Sequence, residues 1–269
     1  MPRYLQKLKR FGYRILALGG IRAPVAFMLR LSRLNPVPAV IDPPDASKVL
    51  VLAPHMDDET IGCGGTLHAH ASAGAEVHVV FITDGRRGFG PAERAAATIE
   101  ELCAIRREEA RRACSLLGVR DLHFLDLPDG RSRAVESAVD SLQAVFEAVG
   151  PDLVYLPFLT DSHHDHQTTN ELFLALLRRQ PHLGGLLCCA YEVWTPLYPN
   201  CIIDISEYME NKLAALGCYT SQLAMNDYIS SVRGLNAYRS IANSSRGYAE
   251  AFFLTSAAEY RSLANQLAL

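Results

Sequence analysis

The sequence lacks the paired cysteines that a disulfide framework or a thiolate metal site requires. Its seven cysteines form an odd set without a CxxC pair, and two of them, Cys188 and Cys189, are adjacent. This usage is typical of a reducing compartment, so we expect the protein to be cytoplasmic. Any metal ion that the chain binds should be held by imidazole and carboxylate groups rather than by thiolates.

Long apolar runs are also absent, because no stretch of the chain reaches the roughly 18 to 20 uncharged residues that a membrane-spanning helix needs. A cleavable signal peptide is disfavoured, since Arg22 interrupts the early apolar residues and no small-residue cleavage site follows cleanly. We find no internal repeat. With 269 residues, of which 49% are hydrophobic, the chain is long enough for one large α/β domain.

Acidic residues are missing from the N-terminal segment. Residues 1–40 carry eight Lys or Arg and no Asp or Glu, whereas the rest of the chain has 18 basic and 29 acidic residues. The acidic main part would repel a polyanion, which excludes nucleic acid as a partner of that part. In the segment, Arg3, Lys7, Arg10 and Arg14 lie beside an apolar stripe, and this pattern predicts a basic amphipathic helix.

We divide the chain at residue 45. Residues 1–45 comprise the basic amphipathic segment and a proline-rich linker, and residues 46–269 form the main domain. The segment can pack on the main domain or on a second subunit of a homo-oligomer. Alternatively, residues 1–34 lie on an anionic membrane surface, which would place the protein peripherally at the inner membrane surface.

Short apolar runs rich in β-branched residues alternate with helical patterns along the main domain. We predict strands at 48–53, 76–83, 122–125, 153–158, 186–194 and 201–205, and helices at 62–73, 93–117, 134–148 and 167–179. We further predict that Ser206 caps a helix ending near Gly217 and that the C-terminal region is largely helical. The alternation predicts an α/β fold with a mostly parallel sheet and helices on both faces.

Two clusters of acids and histidines follow two of the predicted strands. The first comprises His55, Asp57, Asp58 and Glu59, and the second occupies residues 163–166. In parallel sheets, ligands collect beyond the carboxyl ends of the strands, where both clusters fall. Either cluster alone would be an ordinary solvated loop, but together they favour a divalent cation that compensates their charge. Two imidazoles and one carboxylate leave a fourth tetrahedral position for water, as in catalytic zinc sites.

The same residues carry a resemblance to a known family. Residues 54–59 (PHMDDE) resemble the AHPDDE signature of the PIG-L/LmbE-like N-acetylglucosaminyl deacetylases. They differ from it at Pro54, where the signature has alanine, and at Met56, where it has proline. Residues 163–166 (HHDH) are similar to the second motif, HPDH, with His164 in the proline position. Further agreement lies at residues 62–67, 83–85, 106–118, 127–130, 221–222 and 246–252. The resemblance covers about residues 47–253 and is silent on the basic segment.

The resemblance implies a Rossmann-like fold and the hydrolysis of an N-acyl group, commonly acetyl, from an amino sugar or glycoconjugate. It implies one zinc ion per chain, bound by His55, Asp58 and His166. Asp57 would be the general base that takes a proton from the attacking water. His163 would stabilise the oxyanion or protonate the leaving amine.

Other residues have weaker expected roles. The resemblance makes Arg106, or its neighbour Arg107, and Asp129 candidates for binding sugar hydroxyls. His164 is a third adjacent imidazole that could compete for the metal ion or for the role of His163.

Two other functions remain open from the sequence. A metal-dependent phosphoesterase would use clustered Asp and His to hold two metal ions about 3.5 to 4 Å apart, so metal stoichiometry separates it from a deacetylase. A non-catalytic carbohydrate-binding protein on the same fold is the other alternative. The retention of Asp57 and His163 weighs against it, because binding alone requires neither a general base nor an acid.

Overall fold

The computed structural model describes residues 37–243 and 247–267. The predicted amphipathic helix and its membrane contact therefore lie outside the described residues. Within the described ranges, no helix has both the length and the apolar character needed to cross a membrane. All seven cysteines are free thiols in the structure.

One mixed sheet runs through the described part of the chain. Its eight strands are β1 Ala39–Ile41, β2 Lys48–Ala53, β3 Glu76–Thr83, β4 Asp121–Leu127, β5 Leu153–Pro157, β6 Leu187–Tyr191, β7 Cys201–Asp204 and β8 Ala249–Ser256. They are arranged in the order β1-β7-β8-β6-β5-β2-β3-β4. Every neighbouring pair is parallel except those of β8, which runs antiparallel to both β6 and β7.

Helices cover both faces of the sheet. The described helices are α1 Asp58–Ser72, α2 Pro91–Ala96, α3 Ile99–Leu116, α4 Glu136–Val149, α5 His164–Arg179, α6 Met209–Leu216, α7 Thr220–Leu223, α8 Tyr228–Arg239 and α9 Ala257–Leu267. Along β2, Val49 and Val51 pack in the core with α1, α3 and α6, whereas Leu50 and Leu52 pack with α4, α5 and α9. This alternation follows from the two-residue period of a strand. The predicted α/β architecture is confirmed.

Several element boundaries differ from the prediction. The first helix begins at Asp58, and α5 begins at His164, so both motif clusters extend into first helical turns rather than staying in loops. The long helix predicted at 93–117 is divided at Thr98, which starts α3 by a reciprocal capping box with Glu101.

Three further predictions need correction. The C-terminal region was predicted to be largely helical, and it contains α8 and α9, but residues 249–256 between them form β8, which pairs with strands on both sides. Residues 39–41, assigned to the linker, form the edge strand β1 beside β7. Ser206 does not cap α6, whose N-cap is Tyr208, because the Ser206 hydroxyl donates instead to the Asp204 carboxylate at 2.6 Å.

The strand order places the two motif clusters together. From β2 the chain continues to β3 and β4 on one side, and later to β5 and β6 on the other. The loops after β2 and β5 therefore diverge, leaving a crevice at the carboxyl edge of the sheet where such folds bind ligands. The loop after β2 carries His55, and the loop after β5 carries His163.

Tight packing against α1 generates the first prediction. A Cβ atom at Gly62 would overlap the ring of Tyr191, whereas one at Gly234 on α8 would meet open space. We expect Gly62→Ala to lower the free energy of unfolding by about 1 to 3 kcal/mol because the ring must move. The matched Gly234→Ala should raise it by up to about 1 kcal/mol, since alanine has the higher helix propensity. Urea unfolding measures both, and equal effects would contradict the packing.

Candidate metal centre and active site

A single carboxylate oxygen joins the two motif clusters. Asp58 is 2% exposed and is the first residue of α1. Its Oδ2 lies 3.0 Å from His55 Nδ1 and 3.1 Å from His166 Nε2. The same oxygen accepts the backbone N–H of His55 at 2.9 Å. Two imidazoles from different strand-end loops thus meet at one buried carboxylate.

The donor atoms around Asp58 have the chemistry of a zinc site. Neither ring nitrogen of the fully buried His166 makes a hydrogen bond of suitable geometry, although Nε2 faces Asp58. Tetrahedral zinc with bonds of about 2.0 to 2.1 Å holds its ligand atoms about 3.3 Å apart, close to the separations around Asp58 Oδ2. Nitrogen atoms of His55, His163 and His166 also lie within 4.8 Å of one another. The residues present therefore fit the cation that the family resemblance implies.

Two further carboxylates face the other nitrogen of His55. His55 Nε2 lies 3.0 Å from Asp165 Oδ2 and 3.6 Å from Asp129 Oδ1. The fully buried Asp165 also accepts the Gly130 N–H at 2.8 Å and the Ser132 hydroxyl. A carboxylate at the far nitrogen fixes the orientation of an imidazole and makes it a better metal ligand. His55, Asp129 and Asp165 also form a second group whose ligand atoms lie within 4.8 Å of one another.

Asp57 occupies a strained backbone position immediately before α1. Its φ of 152° is rare for a residue with a side chain. The buried Glu59 stabilises this strained conformation, because its carboxylate accepts the Asp57 N–H at 3.1 Å. The same carboxylate accepts the Tyr219 hydroxyl at 2.5 Å. Asp57 lines the cavity described below, as does Asp58.

Arg106 lies behind Asp57 and is held by protein groups. Only 1% of the residue is exposed. Its Nη1 donates to Glu109 Oε2 at 3.0 Å, and its Nη2 donates to the Met56 carbonyl and lies 3.5 Å from Asp57 Oδ2. Although Arg106 was predicted to bind sugar hydroxyls, these contacts direct its guanidinium towards the general-base candidate.

The two adjacent aspartates differ in their electrostatics. Burial raises the pKa of Asp57 to about 7, with the charge of Arg106 opposing this shift and that of Asp58 adding to it. For Asp58, burial is outweighed by the charge of the adjacent His166 and by the hydrogen bond to His55, which hold its pKa well below the usual range. Asp58 therefore stays ionised, whereas Asp57 can accept and release a proton near neutral pH.

The carboxylates create a potential that favours positive charge at the two imidazoles. Burial alone would lower the pKa of His166, but the adjacent carboxylates of Asp58 and Asp161 outweigh it and raise the pKa to about 9. The pKa of His55 is also raised, because hydrogen bonds to Asp129, Asp165 and Asp58 outweigh its burial. A divalent cation would satisfy the same potential with neutral imidazoles.

His163 has a defined tautomer. It is the N-cap residue of α5, and its Nδ1 accepts the Asp165 N–H at 3.2 Å. A neutral His163 therefore carries its proton on Nε2. Burial lowers its pKa, and the charges of His55 and His166 add to this effect, so the ring stays neutral. The neighbouring His164 also lines the cavity described below, and its Nε2 lies 2.9 Å from the Ser132 carbonyl.

Asp161 was missed by the sequence analysis, although it organises this side of the site. Its Oδ2 lies 3.3 Å from His166 Nδ1 and accepts the Trp194 N–H at 3.1 Å. Its Oδ1 accepts the His163 N–H at 3.0 Å. The available signal was an acid two residues before His163 in the same loop.

A cavity of about 430 Å³ opens over these groups. Its polar lining includes His55, Asp57, Asp58, Asp129 and His163. Its apolar lining includes Val193, Trp194, Met225 and Tyr228, none of which the sequence analysis assigned to the site. Trp194 is 53% exposed, and its ring stacks on that of His163 with the centroids 5.8 Å apart. The volume suits a small ligand such as one or two sugar rings.

The fold and the site define an α/β protein whose buried imidazole and carboxylate groups are arranged for a divalent cation beside an open cavity. A family model described as GlcNAc-PI de-N-acetylase matches residues 50–177. The 1D-myo-inositol 2-acetamido-2-deoxy-alpha-D-glucopyranoside deacetylase of Actinosynnema mirum is 33% identical over 236 residues, covering 66% of this chain and 81% of the relative. The chain belongs to the PIG-L/LmbE-like family of deacetylases, which confirms the resemblance.

Two other comparisons bear on the fold and the chemistry. The solved structure of N,N'-diacetylchitobiose deacetylase from Pyrococcus horikoshii is similar with a TM-score of 0.68 and 29% identity, covering 79% of this chain and 85% of that one. The 4-oxalmesaconate hydratase of Pseudomonas putida is 28% identical over 214 residues, covering 71% of this chain and 81% of the relative. Relatives of this chain thus include deacetylases and a hydratase.

The pKa of Asp57 is a measurable consequence of this geometry. In protein freed of metal by chelation, we expect the Asp57 carboxyl to titrate near pH 7 because it is buried. Arg106→Gln should raise this pKa further, since it removes the nearest positive charge, whereas the exposed Arg112→Gln should leave it unchanged. Carboxyl ¹³C NMR of labelled aspartate measures the titration. A pKa near 4 in all three proteins would refute the electrostatic account.

Proposed function

We propose that this protein is a zinc-dependent N-deacetylase acting on an N-acetylated amino sugar or glycoconjugate. The observation that carries the proposal is the division between two adjacent aspartates. Asp58 meets His55 and His166 around one point, whereas Asp57 lines the cavity with its pKa raised to about 7. The deacetylases among the relatives support an acetamido sugar as the substrate class.

Within this proposal, His55, Asp58 and His166 hold one zinc ion per chain. Bound there, zinc would supply the Lewis acidity that activates a water molecule and polarises the amide carbonyl. Asp57 takes the proton from the water as the oxygen attacks the carbonyl carbon. Once it is protonated, the same carboxyl can deliver that proton to the amine nitrogen as the C–N bond breaks.

His163 acts as a hydrogen-bond donor to the carbonyl oxygen. Its Nδ1 is engaged by a backbone N–H, which leaves the Nε2 proton to stabilise the negative charge that develops on that oxygen. The resemblance implied that His163 either stabilises the oxyanion or protonates the leaving amine. The neutral ring favours oxyanion stabilisation, because a neutral imidazole is a poor acid. Asp165 and Asp161 position the rings of His55 and His166, respectively.

We reassign Arg106 within this proposal and keep Asp129. Arg106 also lines the cavity, but Glu109 and the Met56 carbonyl hold its guanidinium beside Asp57, so we assign it to positioning the Asp57 carboxylate and moderating its pKa. Asp129 lines the cavity and remains the candidate for binding a sugar hydroxyl. A homo-oligomer and a membrane contact through residues 1–34 stay predictions.

A second candidate function is the addition of water to a carbon–carbon double bond. The observation that favours it is the likeness to 4-oxalmesaconate hydratase. The hydration reaction would use the same activated water and the same general base. Asp57 would then return the proton to a carbon atom instead of to the amine nitrogen. The products separate the two reactions, because a deacetylase releases acetate and an amine whereas a hydratase cleaves no bond between heavy atoms.

The roles of the two aspartates make opposite predictions for metal content. We expect Asp57→Asn to lower acetate release from N-acetylglucosaminides at least about 100-fold, as for a lost general base, while one zinc ion per chain is retained. Asp58→Asn should lose both the activity and the zinc, since it removes a ligand. Acetate assay and elemental analysis measure the two effects. The exposed Asp140→Asn serves as the control and should change neither.

Other outcomes would overturn the proposal. Full activity in Asp57→Asn, or no acetate release from any acetamido sugar by zinc-loaded protein, would show that the mechanism is wrong. Two tightly bound zinc ions per chain would favour the phosphoesterase alternative.

A further inference from the structure

An apolar groove lies where the described part of the chain begins. Val37, Tyr238 and Ile241 line it and are 66%, 64% and 57% exposed, and Leu197 and Ile202 form more of its wall. Its volume is about 450 Å³. Large apolar side chains that are exposed together, rather than singly, are typical of a surface at which another segment or molecule binds. Their exposure means that the described residues leave the groove uncovered.

The guanidinium in the groove is already neutralised. Arg239 contributes a charged side chain to the lining, but its Nε and Nη2 donate to the two carboxylate oxygens of Glu192 at 2.8 and 2.5 Å. Its Nη2 also donates to the Leu197 carbonyl at 3.1 Å. Glu192 lies two residues before Trp194 of the active-site cavity. The groove therefore offers apolar surface rather than an unpaired cation, and an apolar occupant fits it.

Residues 1–36 of the same chain lead directly into the groove, since Val37 is both the first described residue and part of the lining. A segment that is joined to its site by a short connection has an effective concentration there in the millimolar range. A second protein molecule or a membrane would have to compete with this local concentration. The residues just before Val37 are therefore favoured as the occupant.

Residues 24–34 carry an apolar stripe that suits the groove. Phe27, Leu31 and Leu34 recur at spacings of four and three residues, as on one face of a helix. Pro24 is compatible with a first helical turn, because the N–H that proline lacks has no helical partner there. A helix over these residues would be roughly 16 Å long, and its C-terminal end would lie close to the start of β1.

Charge argues against a lipid surface as the occupant. Residues 1–40 carry eight Lys or Arg and no acid, whereas the rest of the chain has 18 basic and 29 acidic residues. An anionic membrane surface would repel the acidic main part, while that same part attracts the basic segment of its own chain. The groove is also concave, which suits packed side chains better than it suits the flat surface of a bilayer.

We propose that residues 24–34 bind in this groove as a helix, with their apolar stripe packed on Tyr238 and Ile241. The partner of this surface is thus a segment of the same chain. The basic residues nearer the N-terminus stay available for other contacts. The proposal is independent of the deacetylase activity, because the linings of the groove and of the active-site cavity share no residue within the described ranges.

Hydrogen–deuterium exchange of the full chain, measured by mass spectrometry, tests the contact. An isolated helix shorter than about 12 residues is marginal in water, so slow exchange over residues 24–34 requires a tertiary contact. We expect these amides to exchange at least about tenfold more slowly than in a synthetic peptide of residues 20–36. The protection should be equal between about 1 and 100 µM protein, since the contact is intramolecular.

Matched substitutions locate the contact. Ile241→Asp places a charge in the groove and Leu31→Asp places one in the segment, so each should reduce the protection of residues 24–34 to less than about twofold. Ile99→Asp changes another exposed apolar residue, at the start of α3, and should leave the protection unchanged. Leu31 precedes the main domain, so Leu31→Asp keeps the test decisive should Ile241→Asp fail to fold.

Several outcomes would overturn the proposal. Exchange of residues 24–34 at the rate of the synthetic peptide, or protection that persists in folded Ile241→Asp, would show that the groove does not bind them. Protection that appears only at the higher protein concentration would make a second copy of the chain the occupant. Protection that appears only with phosphatidylglycerol vesicles would assign the segment to a membrane surface. Acetate release is not measured, so failure of the deacetylase proposal would leave this result unaffected.

Discussion

The contact on which the rest of the site depends is the buried oxygen of Asp58 that faces both His55 and His166. It brings the loops after β2 and β5 to one point, at the place where the strand order of the sheet reverses. Because Asp58 also begins α1, its carboxylate lies in the first turn of a helix, where the backbone favours negative charge. Asp58 therefore belongs both to the first helix of the fold and to the centre of the candidate site.

The division of roles between Asp57 and Asp58 follows from the backbone. Asp58 is the first helical residue, whereas Asp57 precedes it in a strained conformation, so their side chains have different surroundings. The strained backbone of Asp57 and the buried negative charge of the aspartates both destabilise this arrangement. Glu59, Tyr219 and Arg106 compensate it through hydrogen bonds and charge. This support holds the general-base candidate beside the candidate metal ligands instead of among them.

The sequence was sufficient to predict the central strands and the location of the site. Lys48–Ala53 is a continuous apolar run, and the structure buries it on both faces as expected. The position of the two motifs after parallel strands then predicted their convergence.

Other features depend on tertiary partners that the sequence does not reveal. The β8 strand was missed partly because it contains the buried Glu250, whose carboxylate accepts N–H groups of Gly65 and Thr66 on α1 and pairs with the buried Lys212. The contacts of the Arg106 guanidinium with Asp57 and with the Met56 carbonyl likewise arise only in the fold, because these residues lie on a different element.

The central claim is that one cation lies between Asp58 and the two imidazoles. Anomalous diffraction at the zinc edge from zinc-loaded crystals tests it most directly. The account predicts a single peak about 2.0 to 2.2 Å from His55 Nδ1, Asp58 Oδ2 and His166 Nε2. A peak held instead by the other nitrogen of His55 with Asp129 and Asp165, or two peaks in one site, would contradict it.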